Sequence, residues 1–62
     1  MYENFTFLVT ELGDDNELVD IYVDDEAGQL AICPIGGYPQ DADSVIYGGE
    51  TAAEIRARLF DY

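Results

Sequence analysis

The sequence predicts an α+β fold: a small antiparallel β-meander of three to four strands with one C-terminal α-helix packed on one face. Three observations predict it. Apolar and polar residues alternate through the first half, turn-forming clusters interrupt that alternation at residues 13–16 and 25–28, and an apolar stripe of helical spacing closes the chain. A meander of local hairpins needs no long crossover, which suits a single domain spanning residues 1–62.

Residues 2–12 alternate, with Phe5, Phe7 and Val9 on one side and Thr6, Leu8 and Thr10 on the other, so a first strand with one buried face is expected. Gly13-Asp14-Asp15-Asn16 supplies residues that tolerate tight turns and left-handed backbone. Residues 18–24 alternate again: Val19, Ile21 and Val23 face inward, and Asp20, Tyr22 and Asp24 face outward. Residues 25–28 make a second turn, with Gly28 placed to take a positive φ. Residues 30–33 form a third strand that Pro34 ends or confines to an edge.

Residues 36–41 are a loop by composition, and residues 44–47 a short fourth strand. Thr51-Ala52-Ala53-Glu54 matches a capping box, with Thr51 as the cap and Glu54 reaching back to it. From there Ala52, Ile55, Leu59 and Tyr62 fall on one helical stripe. Glu54 and Arg58 stand at i and i+4 in the favourable order, and both arginines lie toward the negative end of the helix dipole. The expected core is Phe5, Phe7, Val9, Val19, Ile21, Val23, Ile32, Ile55 and Leu59.

Composition narrows function mostly by exclusion. Fourteen acidic residues against Arg56 and Arg58 give a net charge of −12. That sign makes direct contact with nucleic acid or anionic lipid unfavourable. The chain has no histidine, which removes Ser–His and Cys–His catalysis in their usual forms. A lone cysteine, Cys33 in an apolar run, cannot build a zinc site and reads as a buried small hydrophobe. The run Asp14-Asp15-Asn16-Glu17 lacks the spacing of a calcium loop, because Val19 and Asp25 stand where that loop needs glycine and glutamate. Neither Gly36-Gly37 nor Gly48-Gly49 has the lysine of a phosphate loop. No enzyme activity, cofactor or metal is expected. The N-terminal residues do not read as a signal peptide, and no apolar run nears the roughly 20 residues that span a bilayer. A cytoplasmic protein without membrane contact is expected.

The positive signal is the segment ELGDDNELVDIYVDDE, residues 11–26, which carries eight of the fourteen acids and no basic residue. On a strand, Asp20 and Asp24 stand about 13 Å apart on the outward face with Tyr22 between them, at roughly 3.3 Å per residue. The flanking turns add Glu11, Asp14, Asp15 and Glu17 at one end and Asp25 and Glu26 at the other. These nine residues are the expected partner-binding surface. A globule of this length is roughly 27 Å across, over which duplex DNA carries about 16 phosphates. Fourteen carboxylates approach that number. The absence of acids from residues 27–40 points to a directed face over an evenly acidic surface.

In size, lack of lysine and this acidic hairpin on an αβ frame, the chain resembles the small acidic DNA-mimic inhibitors of phages and mobile elements. Within that group it is most similar to the anti-CRISPR proteins directed at type I complexes. The resemblance implies a stoichiometric inhibitor of a basic DNA-binding protein, such as a Cas effector subunit, acting in the host cytoplasm; a monomer is expected over a dimer paired through strand edges. Asp14, Asp15, Glu17, Asp20, Asp24, Asp25 and Glu26 would then stand in for phosphates. A restriction enzyme or a basic nuclease, the latter met by an immunity-type inhibitor, would be other targets of the same physics. A salt-adapted acidic domain with no mimic role is the alternative from a different class.

Overall fold

The computed structural model describes residues 2–59. Its elements run β1 (Thr6–Leu12), β2 (Leu18–Asp24), β3 (Gln29–Pro34), β4 (Val45–Gly48) and α1 (Gly49–Leu59). The four strands form one antiparallel sheet in sequence order, so every connection joins neighbours. The helix packs on one face, over β3 and β4. The expected α+β meander with its C-terminal helix is therefore the fold.

The β1–β2 turn closes with Gly13 N–H donating to Glu17 O at 2.7 Å and Asn16 N–H donating to Gly13 O at 3.1 Å. Asn16 takes φ +64°, the left-handed conformation that asparagine tolerates better than most residues. In the β2–β3 turn that conformation falls to Gly28, φ +66°. At the end of β4 there is no loop at all: Gly49, φ +57°, turns the strand directly into the helix. That corner overrides the expected capping box. The helix starts two residues before Thr51, which lies inside its first turn.

On the helix side the core centres on Ile21, Val23, Leu30 and Ala52, with Leu8, Val9, Val19, Ile32, Tyr47, Ile55 and Leu59 packed around them. Ala52, Ile55 and Leu59 bear out the helical stripe; Tyr62, its last expected member, lies outside the described residues. Phe7 and Phe5 do not belong to this core. The register shifts between Phe7 and Val9, a bulge at Leu8. Leu8 and Val9 both reach the core, and Phe7 turns to the opposite face, 52% exposed, against Tyr22. Phe5 precedes β1 and stacks on Tyr2.

A second, smaller packing layer lies on the face away from the helix. Ala31 and Cys33 point there, yet both are fully buried. The chain between β3 and β4, residues 35–44, folds back across that face, and Pro39 within it is buried. β3 is thus covered on both sides and is an interior strand, with Pro34 as its last residue. Burial explains the lack of acids at Leu30, Ala31, Cys33 and Pro39 within the acid-free stretch 27–40. Among the described residues no helix is long and apolar enough to cross a membrane.

Candidate functional site

The hairpin geometry divides the acidic segment. β2 spans seven residues, about 20 Å at roughly 3.3 Å each, so its two turns lie at opposite ends of the sheet. Asp14, Asp15 and Glu17 are exposed at the lower end, and Asp25 and Glu26 at the upper end.

Between the turns, the two aspartates expected to face a partner have structural work. Asp20 is half-buried. Its Oδ1 accepts from Thr10 Oγ1 at 2.7 Å on β1, and its Oδ2 accepts from Gly36 N–H at 3.0 Å in the covering loop. Asp24 is buried, and its Oδ1 accepts from the N–H groups of Glu26 and Ala27, each at 3.1 Å, closing the β2–β3 turn. Backbone amides left unpaired in a tight turn need such an acceptor, which is why aspartate recurs there. The outward Asp20–Tyr22–Asp24 row is thus corrected at Asp24, whose carboxylate is turned into the hairpin.

Other acids are also engaged. Asp15 Oδ1 accepts from Glu17 N–H at 3.2 Å, and Asp25 pairs with Arg56 of the helix. The expected Glu54–Arg58 pair is not formed. An exposed pair of that kind is worth only about 0.3–0.5 kcal/mol. Arg58 instead lines a hollow shared with Glu11, Asp14 and Asp15, above Ile21, Tyr47 and Ile55.

The lower end gathers residues far apart in sequence. β3 carries the chain back beside the β1–β2 turn, and Asp15, Glu17 and Asp43 rim an open hollow lined by Leu18, Val19, Ile32, Ile35 and Val45. Leu18, Ile35 and Val45 are each at least half exposed. Sequence reasoning missed Asp43, Ile35 and Val45. Their only signal was an apolar residue on either side of a glycine-rich loop.

Tyr22 sits at the centre of the face opposite the helix. Its ring meets Phe7 edge-on at 5.6 Å and Tyr38 at 6.4 Å. Burial, then the nearby Asp20 carboxylate, raises the Tyr22 phenol above its ordinary 10.0. Burial likewise pushes the Cys33 thiol above 9.0, against an opposing hydrogen bond with Ser44. Both shifts favour the neutral form, so neither group is activated for chemistry at neutral pH. Among the described residues no three acidic or thiol side chains converge on a geometry able to hold a metal ion.

The fold and site define a class by shape: a four-stranded meander with acidic ends and an aromatic face. No protein-family model matches the chain, and no curated protein or solved structure matches it either.

Proposed function

We propose that this protein acts in the host cytoplasm as a stoichiometric inhibitor that occupies a basic, nucleic-acid-binding surface of a partner protein. Charge density carries the reading. A net charge of −12 is held on a body of 29 × 26 × 15 Å. Duplex DNA carries about 17 charges over the same 29 Å, at one per roughly 1.7 Å. A groove of lysines and arginines built for a phosphate backbone meets a comparable field here, and counterion release would make binding strongly salt-dependent. The contact acids are drawn from the exposed ones, Asp14, Asp15, Glu17, Glu26 and Asp43, with Asp24 reassigned to holding the fold and Asp20 bonded within it. The particular partner proposed is a type I CRISPR-Cas effector, with a restriction enzyme or basic nuclease as other members of the class.

The test is displacement. A guide-loaded type I effector, a restriction enzyme and a basic nuclease are each titrated with the protein while DNA binding is followed by mobility shift. Stoichiometric loss of DNA binding is expected for one of them. It should be relieved by combining Asp14→Lys, Glu17→Lys and Asp43→Lys, whose carboxylates make no hydrogen bond among the described residues. No displacement from any of the three, or undiminished displacement by the triple variant, would refute the reading.

Salt adaptation is favoured by one observation. Exposed acids occur at both ends of the sheet, in the loop and on the helix, at Glu17, Glu26, Asp43 and Glu50, and not on one face. A chain unfolded in dilute buffer and folded only in molar salt would establish that reading instead.

A further inference from the structure

The face opposite the helix carries a strip of three aromatic rings, each from a different element: Phe7 on β1, Tyr22 on β2 and Tyr38 in the covering loop. The outer two are more than half exposed. Their positions are fixed before anything binds. Phe7 stands opposite Tyr22 in the strand register. Tyr38 N–H donates to Asp41 Oδ2 at 2.9 Å, while its carbonyl accepts from Ser44 Oγ at 2.6 Å. Ala31 and Cys33 form a closed floor on the same face. The bulge at Leu8 gives the core position to leucine and leaves Phe7 half exposed on the opposite face, although a chain this short has little apolar area to spare. Rigid, half-exposed aromatics of this kind anchor protein contacts.

Charge decides what fits on them. Neither arginine is near the strip: Arg56 pairs with Asp25, and Arg58 lines the hollow on the helix side. A net charge of −12 repels a nucleic acid, an anionic lipid surface or a second copy of the chain. Asp20 and Asp41 flank the strip, each with acceptor capacity beyond its present bonds. Ring faces beside carboxylates suit a flat cation that can stack and donate in its own plane. Guanidinium does both, whereas an ammonium is a compact, strongly hydrated point charge.

Building on the reading of a basic partner, we infer that the Phe7–Tyr22–Tyr38 strip receives arginine side chains of that partner and so distinguishes an arginine-bearing surface from a merely positive one. Calorimetric titration of the full chain with octa-arginine and octa-lysine, equal in charge, tests this at low salt. Octa-arginine should bind about tenfold more tightly, the combined effect of two exposed ring contacts. In Phe7→Leu/Tyr38→Leu, which keeps apolar bulk but removes both rings, the preference should shrink to about twofold while octa-lysine binding stays unchanged. Circular dichroism checks that the variant is folded; if it is not, Tyr38→Leu alone should lose about threefold of the preference. Equal binding of the two peptides, or a preference that survives in the variant, overturns the inference and leaves the basic-partner reading standing. Binding of neither peptide overturns both.

Discussion

The assignment of Asp20 to the fold can be tested through the chain's single cysteine. Cys33 is fully buried on the face crossed by residues 35–44. That loop is braced internally by Gly37 N–H to Pro34 O, Asp41 N–H to Tyr38 O and Ser44 N–H to Asp41 O. The bond that crosses from it to β2 is Gly36 N–H to Asp20 Oδ2 at 3.0 Å. Asp20→Ala removes this tie and the Thr10 bond together. A hydrogen bond to a charged group contributes about 1.5–3 kcal/mol, and a half-buried carboxylate belongs at the lower end. Loss of about 1.5 kcal/mol from the closed loop raises its open population roughly tenfold. Cys33 should then react about tenfold faster with an aromatic disulfide reagent. Thr10→Val, which loses only the bond on β1, should react near the wild-type rate. Low urea separates local from global opening, because a loop exposes little surface and its opening depends weakly on denaturant. If Asp20→Ala labels at the wild-type rate, or only in proportion to a fall in global stability, the tie is not what closes the loop.

Two further outcomes follow from backbone and burial. Gly49→Ala should destabilise the protein by about 1–2 kcal/mol in urea unfolding, the cost of a side chain in left-handed backbone. An added Cβ there meets nothing within 4 Å, so strain is the only penalty, and unchanged stability would mean the corner relaxes. The raised thiol of Cys33 predicts loss of stability at alkaline pH. With the folded pKa above the ordinary 9.0, the neutral thiol favours the fold fully below pH 9, and that contribution is lost as pH rises through the folded value. Tyr22 acts in the same direction above 10.0, so Cys33→Ala should flatten the decline that begins at pH 9 and leave the later one. An identical pH profile in Cys33→Ala would remove the thiol from the account.

Much of the fold was legible because its signals are local. The alternation of Val19, Ile21 and Val23 is unbroken and gave the inner face of β2, and the turn residues of both hairpins sit where the chain reverses. β1 was harder. Phe7, Leu8 and Val9 are consecutive apolar residues, so the sequence holds no phase there, and only pairing with β2 chooses the bulge. The capping pattern at Thr51 is sound locally, but the geometry of β4 placed the corner at Gly49. The acids were least legible for a related reason. Periodicity tells which way Asp20 points along a strand, but not that a loop residue sixteen positions later, Gly36, will arrive to use it. The same non-local return brings Asp43 beside Glu17.

The division of labour among carboxylates changes what mimicry would mean for this molecule. Asp15, Asp20, Asp24 and Asp41 each accept from the chain's own backbone, and Asp25 holds Arg56. A basic groove would therefore meet the exposed carboxylates of two hairpin turns about 20 Å apart, with an aromatic face between them that Asp20 and Asp41 flank. That pattern differs from the regular spacing of a phosphate backbone. On the proposed reading, long-range attraction scales with the whole net charge of −12, because distant approach senses net charge. The docked contact scales only with the rings and the acids that the partner covers. Association should accordingly be fast and acutely sensitive to salt, while dissociation depends on the rings and the few acids they accompany. A partner chosen by charge alone would lose that second dependence.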